Sequence, residues 1–293
     1  MTEIGQSVQS LQTWKLTIAY DGTGFSGWQV QPGERTIQGE VQGALGRVTG
    51  ERPLPQGSGR TDAGVHALGQ VASFELAAPI PAENLQRALN RTLPAAIRVV
   101  EASRVRSGFH ARHCAVAKTY EYRVFQSAIC PPFLAPYLHA CTWPMNLEAL
   151  QDAAREFVGE HDFLSFAATD PDLTTRNLGE SEEADEEEVG GEKATVAGKG
   201  TVRRISLSEW QETESGEGRL LIYRVRGNGF LHHMVRNLVG TMLDVGRGRT
   251  AARGIAAVLA ARARAAAGPT APAQGLFLKS VEYPDGYDLA EEG

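Results

Sequence analysis

Trp14-Lys15-Leu16-Thr17-Ile18-Ala19-Tyr20, with the glycine-rich run Asp21-Gly22-Thr23-Gly24-Phe25-Ser26-Gly27 behind it, decides between two folds. Trp14, Leu16, Ile18 and Tyr20 alternate with period two, which predicts a half-buried strand. A G-x-G-x-x-G after a strand raises a dinucleotide-binding unit. That unit needs the glycine turn to open straight into a helix whose N-terminus receives the pyrophosphate. Here Trp28-Gln29-Val30-Gln31-Pro32-Gly33 intervenes, and helical periodicity begins only near Thr36. The nucleotide reading fails on context.

Outward from that stretch, Thr36 is a helix N-cap, with Ile37, Val41, Leu45 and Val48 on one face and Gly50 as the stop. Gln70–Leu76 reads as a strand, Pro81–Asn90 as a short helix and Ile97–Ala102 as another strand. A similar series follows. Lys118–Phe125 is a strand; Asn146 caps a helix bearing Leu147, Leu150, Ala154, Phe157 and Val158. Val202–Trp210 and Leu220–Gly227 alternate as strands. Leu231, Met234, Val235, Leu238, Val239 and Met242 mark an apolar helix, Ala251–Ala267 an alanine-rich one, and Leu276–Tyr283 a last strand. The order predicts an α+β protein of two halves, each with helices on one face of a largely antiparallel sheet. The expected divisions are a flexible N-terminus (1–12), a first half (13–108), a second half (109–284) and an acidic tail (285–293). Within the second half, 177–200 reads as a disordered acidic insertion, too poor in apolar residues to offset its ordering entropy.

The formal charge is −6, from 29 Lys and Arg against 35 Asp and Glu. Eight acids fall in residues 180–192 and four in 285–293, so the remaining body is about +6, a balance compatible with a polyanionic partner. Scattered surface arginines without a shared target fit the count equally well. No apolar run is long enough to span a membrane, and the polar N-terminus lacks a signal-peptide core. Cys114, Cys130 and Cys141 have no CxxC spacing and read as reduced thiols of a cytoplasmic protein.

Chemistry concentrates in Gly59-Arg60-Thr61-Asp62-Ala63-Gly64-Val65-His66. An aspartate between glycines serves as a nucleophile, a metal ligand or a turn residue, and Arg60 offers a nearby positive charge. Metal is disfavoured: His232 and His233 are adjacent, not i, i+4, and HExxH and paired CxxC are absent. His110 and His113 fit core or phosphate-contacting roles better than ligation. There is no G-x-S-x-G elbow for a serine nucleophile. Lys118–Arg123 and Arg224–Asn237 mix cations with aromatics, as RNA-binding surfaces do; core tyrosines on a solvated strand edge explain the first cluster as well.

Taken together these runs resemble the tRNA pseudouridine synthase A family. The matching pieces are Tyr20–Gln29, Gly59–Ala67, Phe109–Arg112 with Lys118–Tyr122, Gly159–Phe163, Phe230–Asn237 with Gly240, and Pro272–Leu276. They keep their order from residue 14 to about 284, and the GRTDAGVHA run is highly specific. The main departure is the acidic insertion, which lies away from the motifs. The resemblance implies two ferredoxin-like halves sharing a continuous sheet, with the active cleft between them. It implies conversion of uridine to pseudouridine at positions 38, 39 and 40 of the tRNA anticodon stem-loop by a homodimer, with no metal or cofactor. It assigns Asp62 as the catalytic aspartate, Tyr120 as the residue stacking on the target base and Arg236 as the aspartate's basic partner. Arg60 is then better assigned to the substrate, helping to hold the flipped nucleotide or its phosphate, and the loop glycines read as space for that nucleotide. A base must remove the C5 proton; Tyr120 and a recycled Asp62 are the candidates. A non-catalytic tRNA-binding or folding protein, and a hydrolase pairing Asp62 with a second carboxylate, remain open at this point.

Overall fold

A computed structural model describes residues 11–168, 200–215, 218–250 and 254–289. The insertion expected at 177–200 therefore lies, but for Gly200, outside the described residues, as does most of the N-terminus expected to be flexible. The described strands are β1 (Gln12–Tyr20), β2 (Gln56–Gly57), β3 (His66–Leu76), β4 (Ile97–Val105), β5 (Ala117–Gln126), β6 (His139–Cys141), β7 (Gly159–Asp162), β8 (Val202–Ser215), β9 (Gly218–Gly227) and β10 (Leu276–Glu282). They make one sheet in the order β4-β1-β3-β10-β5-β9-β8-β7, with β2 added to β3 and β6 to β5. Pairing is antiparallel except for β10 with β3 and β5 with β6. The α+β reading holds.

The last strand is the seam. β10 pairs with β5 along most of its length but meets β3 only at Phe277–His66 and Leu278–Ala67. Strands from the first hundred residues lie on one side of it and strands from the second half on the other. β3 reaches that pairing by starting at His66, four residues before local alternation suggests, because its partner there is more than two hundred residues away.

Helices form where apolar spacing coincides with a cap. Thr36 Oγ1 accepts from the Gly39 amide at 3.3 Å and opens Ile37–Thr49, whose Ile37, Val41, Ala44 and Leu45 are buried; Gly50 closes it. Asn146 Oδ1 accepts from the Ala149 amide at 3.1 Å and opens Leu147–Arg155. Ala82–Thr92 packs beside Ile37–Thr49 and Met234–Gly246 beside Leu147–Arg155, and their buried faces share one core with Trp14, Leu16, Ile18, Tyr122 and Val124. The alanine-rich helix is shorter than its composition predicts. It ends at Ala261, Arg262 takes a left-handed φ of 49°, and a 3-10 turn follows at Arg264–Ala266. Alanine favours helix but buries little, so tertiary contacts win: buried Ser165 accepts the Ala263 amide at 2.9 Å and donates to the Val258 carbonyl at 2.6 Å. Residues 285–289 are tied to the body, with the Arg106 amide bonded to the Tyr287 carbonyl and Lys15 paired to Asp288. No helix among the described residues is long and apolar enough to cross a membrane.

Candidate active site

Residues 58–65 link β2 to β3 and are fixed from three sides. Buried Ser58 donates to Gln70 Oε1 at 2.7 Å, and Gln70 Nε2 donates to the Gly59 carbonyl at 2.8 Å. Thr61 Oγ1 bonds the Tyr20 hydroxyl at 2.7 Å, and its carbonyl accepts from the Trp28 amide at 3.0 Å. The Val65 amide closes a turn onto the Asp62 carbonyl at 3.1 Å. Gly64 sits in that turn at φ 76° against Ala273, a backbone conformation that favours glycine whatever the space beside it. Gly22 allows the preceding loop to touch: a Cβ there would lie 2.0 Å from the Val65 carbonyl oxygen. The glycine run that mimics a nucleotide motif thus packs against the Asp62 loop. His66 is buried, its Nδ1 accepting from the Gly22 amide at 3.1 Å and its Nε2 facing the Pro136 carbonyl at 3.0 Å. Burial holds its imidazole below the usual histidine range, consistent with a neutral ring.

Pinned this way, the loop presents the Asp62 carboxylate to the other half of the chain. Arg236 Nη1 donates to Asp62 Oδ2 at 2.8 Å. His233 Nε2 lies 3.3 Å from the same oxygen and His232 Nε2 3.6 Å from Oδ1. Arg236 also donates through Nε to the Ala271 carbonyl at 2.8 Å. Arg236 lies in the first turn of Met234–Gly246 and the two histidines immediately before it, where unsatisfied amides and the helix dipole favour an anion. His233 adopts φ 58° just before that helix, an uncommon conformation for a side chain of its size, which sets the two imidazoles 3.9 Å apart. Burial lowers the pKa of His233 against the raising effect of Asp62, with His232, Arg236 and Arg264 lowering it further. Asp62, His232 and His233 bring three atoms of metal-ligand type within 4.8 Å of one another. Arg236 already supplies a positive charge at Oδ2.

Tyr120, on β5, is buried with its ring edge-on to Phe230 at 5.0 Å. Burial, then the nearby Tyr20 and Asp62, push its phenol well above the ordinary range. Its hydroxyl has no hydrogen-bond partner among the described residues, which leaves it available to a bound molecule. Arg60 is exposed. Of the four residues singled out by sequence, Asp62 and Arg236 are thus in direct contact, Tyr120 lies close enough to feel the carboxylate's charge, and Arg60 stands at the surface of the same loop.

Three contributors escape sequence reasoning. His232 and His233 enter the sequence reading as a disfavoured metal pair and as members of the Arg224–Asn237 run, with no role of their own, although their adjacency to Arg236 is the clue to their place. Lys118 donates to the Ser58 carbonyl, and burial with the charges of Arg112 and Arg203 brings its pKa down to about 8. Conversely, two cations of the basic-aromatic cluster are committed elsewhere. Arg226 holds Glu282 through two bonds of 2.6 and 2.8 Å, and Arg224 faces Glu121 at 3.4 Å.

Comparison with known proteins gives one answer. Residues 16–113 and 153–284 match the tRNA pseudouridine synthase family. The chain is 47% identical over 269 residues to the tRNA pseudouridine synthase A of Solibacter usitatus, covering 92% of this chain and 98% of the relative. It is 42% identical over 271 residues to that of Moorella thermoacetica, with 92% and 98% covered. Against that of Halalkalibacterium halodurans the figures are 42% over 264 residues, with 89% of each covered.

Proposed function

The chain belongs to the tRNA pseudouridine synthase family, and on that premise we propose which of its residues perform the reaction and on which uridines. It isomerises uridine to pseudouridine in tRNA. The C1′–N1 bond breaks, the uracil turns, and a C1′–C5 bond forms; the proton leaving C5 is balanced by one gained at N1. Asp62 is the reacting carboxylate, whether it attacks C1′ or C6 or takes the C2′ proton. The observation that carries this is the 2.8 Å bond between Asp62 and Arg236, residues 174 apart in sequence and from opposite sides of the β10 seam. A charge-assisted bond of that kind fixes the carboxylate's direction. Because even a partly buried ion pair costs desolvation, its value is in positioning and not in stability.

The target uridine leaves its stack at a cost of a few kcal/mol. Tyr120 recovers part of it, since base–aromatic stacking contributes about 1–3 kcal/mol. A phenol pushed up by burial keeps its proton, so Tyr120 donates a hydrogen bond to the flipped base and the C5 proton goes to Asp62. Arg60, exposed beside Asp62, contacts the flipped nucleotide or its phosphate. The substrate uridines are those at positions 38, 39 and 40 of the anticodon stem-loop, and the enzyme is a cytoplasmic homodimer acting without a cofactor.

Incubation with tRNA carrying labelled uridine, followed by mapping of pseudouridine, tests this. Wild type is expected to form pseudouridine at 38–40, and Asp62→Ala to bind tRNA without forming it. Binding without conversion by the wild type would identify a tRNA-binding protein, and release of free uracil a hydrolase.

A further inference from the structure

Arg264 has no place in the chemistry above, yet its guanidinium makes four hydrogen bonds. Nη1 donates to the carbonyls of Ala267 at 3.3 Å and Gly268 at 2.9 Å. Nη2 donates to Asn237 Oδ1 and Thr270 Oγ1, both at 3.1 Å. Among the described residues no carboxylate pairs with it, so its fork is spent on the segment that follows and on one helical side chain. That side chain, Asn237, is fully buried and directly follows Arg236. Its Oδ1 also accepts from Thr270 at 2.7 Å, and its Nδ2 donates to the Phe166 carbonyl at 2.7 Å.

The segment so gripped runs against the first turns of Met234–Gly246. A Cβ at Gly240 would lie 1.6 Å from the Pro269 carbonyl oxygen, so the two backbones meet with no side chain between them. The Gly268 amide donates to Thr241 Oγ1 at 2.9 Å. The Ala271 amide donates to the Arg236 carbonyl at 3.1 Å, while the Ala271 carbonyl accepts Arg236 Nε at 2.8 Å. One residue on, the Pro272 carbonyl accepts from the Tyr122 hydroxyl at 2.9 Å, two positions from Tyr120 on β5.

An arginine with a single partner pivots about its long side chain; a second acceptor at Nε fixes the plane of the fork. The Ala271 carbonyl is that acceptor. Between the 3-10 turns at Arg264–Ala266 and Ala273–Gly275 its segment has no helix or strand of its own to set its direction. We propose that Arg264 is a positioning residue: by clamping residues 267–271 onto Asn237 it fixes the Ala271 carbonyl, which aims Arg236 at Asp62. The proposal rests on the reading of Arg236 as the holder of the reacting carboxylate.

Arg264→Gln is expected to lower kcat for pseudouridine formation about tenfold or more, with KM for tRNA within about twofold, since the loss falls on the transition state and not on binding. Arg264→Lys, which keeps the charge and loses the fork, is expected to recover little of it. The double variant Arg236→Gln/Arg264→Gln is expected to be no slower than Arg236→Gln alone, because residues acting through one another are not additive. A general structural role would instead multiply the two losses. The geometry is read without turnover from the Arg236 Nε–H resonance in a nitrogen-15 spectrum of the full chain, expected to be protected in the wild type and lost in Arg264→Gln. If Arg264→Gln fails to fold, Thr270→Val, which removes one acceptor, is expected to show the same kcat-only loss at several-fold. Wild-type kcat with an intact resonance in Arg264→Gln, or multiplicative losses in the double variant, overturns the proposal. A wild type that makes no pseudouridine counts against the functional reading, and the resonance still decides whether Arg264 aims Arg236.

Discussion

The Asp62 loop and the helix start that carries Arg236 meet at one carboxylate, but they are built in opposite ways. The loop is held close to home: Ser58, Gln70, Tyr20 and Trp28 all lie within about fifty residues of it in the first half of the chain. The helix start is held from afar and under strain, with His233 at φ 58° and Arg236 braced on Ala271. The proposed reacting group thus sits on a turn fixed mainly from the first half, with Lys118 adding a bond from β5, whereas the group proposed to orient it depends on the assembly of the second half. Each can be perturbed without dismantling the other.

The sharpest break comes from the loop side. Asp62→Ala is expected to lower kcat by about four orders of magnitude or more, as loss of a covalent or general-base group does, while filter binding to tRNA stays within a few-fold. On the helix side, Arg236→Gln leaves the carboxylate in place and removes its aim; a loss of about 10²–10³ in kcat is expected, with little change in KM. Equal losses from both would erase the distinction between a reacting group and its holder. Tyr120 lies between the two regions. Tyr120→Ala is expected to lose about 1–3 kcal/mol of stacking beyond whatever Tyr120→Phe loses with the hydroxyl, measured as single-turnover rates on one tRNA.

The smallest effect concerns Lys118, which reaches from β5 to the loop's first carbonyl. Its ammonium titrates near 8 instead of 10.5, so it is charged at pH 7 and neutral at pH 9. Between those two values the unfolded chain binds the proton that the folded chain has released, so Lys118's contribution to stability rises with pH. Attraction for a polyanion moves the other way. The KM for tRNA is expected to rise about two- to threefold between pH 7 and 9, and Lys118→Arg to flatten that rise.

These two regions were also unequally legible in the sequence. Thr36, Gly50 and Asn146 announced their helices because capping is local chemistry, and Trp14–Tyr20 announced its strand because alternation is local too. The GRTDAGVHA run drew attention to Asp62, but an aspartate between glycines fits a turn equally well, and its catalytic role came from the family resemblance. The meeting of Arg236 with Asp62 is not deducible from spacing across 174 residues, and it entered only through the family resemblance. The bracing of Arg236 was hidden further: Ala251–Ala267 reads as a continuous helix, because nothing in its composition shows that Ser165 captures the Ala263 amide or that Arg264 binds Asn237. The early start of β3 was invisible for the same reason, since His66 and Ala67 are strand residues only by virtue of β10.

The account stands on the claim that a carboxylate from one half works only when aimed by a guanidinium from the other. Tritium at uracil C5 is displaced to water when the C1′–C5 bond replaces the C5–H bond, so its release follows the isomerisation directly. With C5-tritiated tRNA at saturating concentration, wild type is predicted to release tritium in step with pseudouridine. Arg236→Gln is predicted to bind the same tRNA equally well and release tritium about a hundredfold more slowly. Release by Arg236→Gln at the wild-type rate would contradict the account.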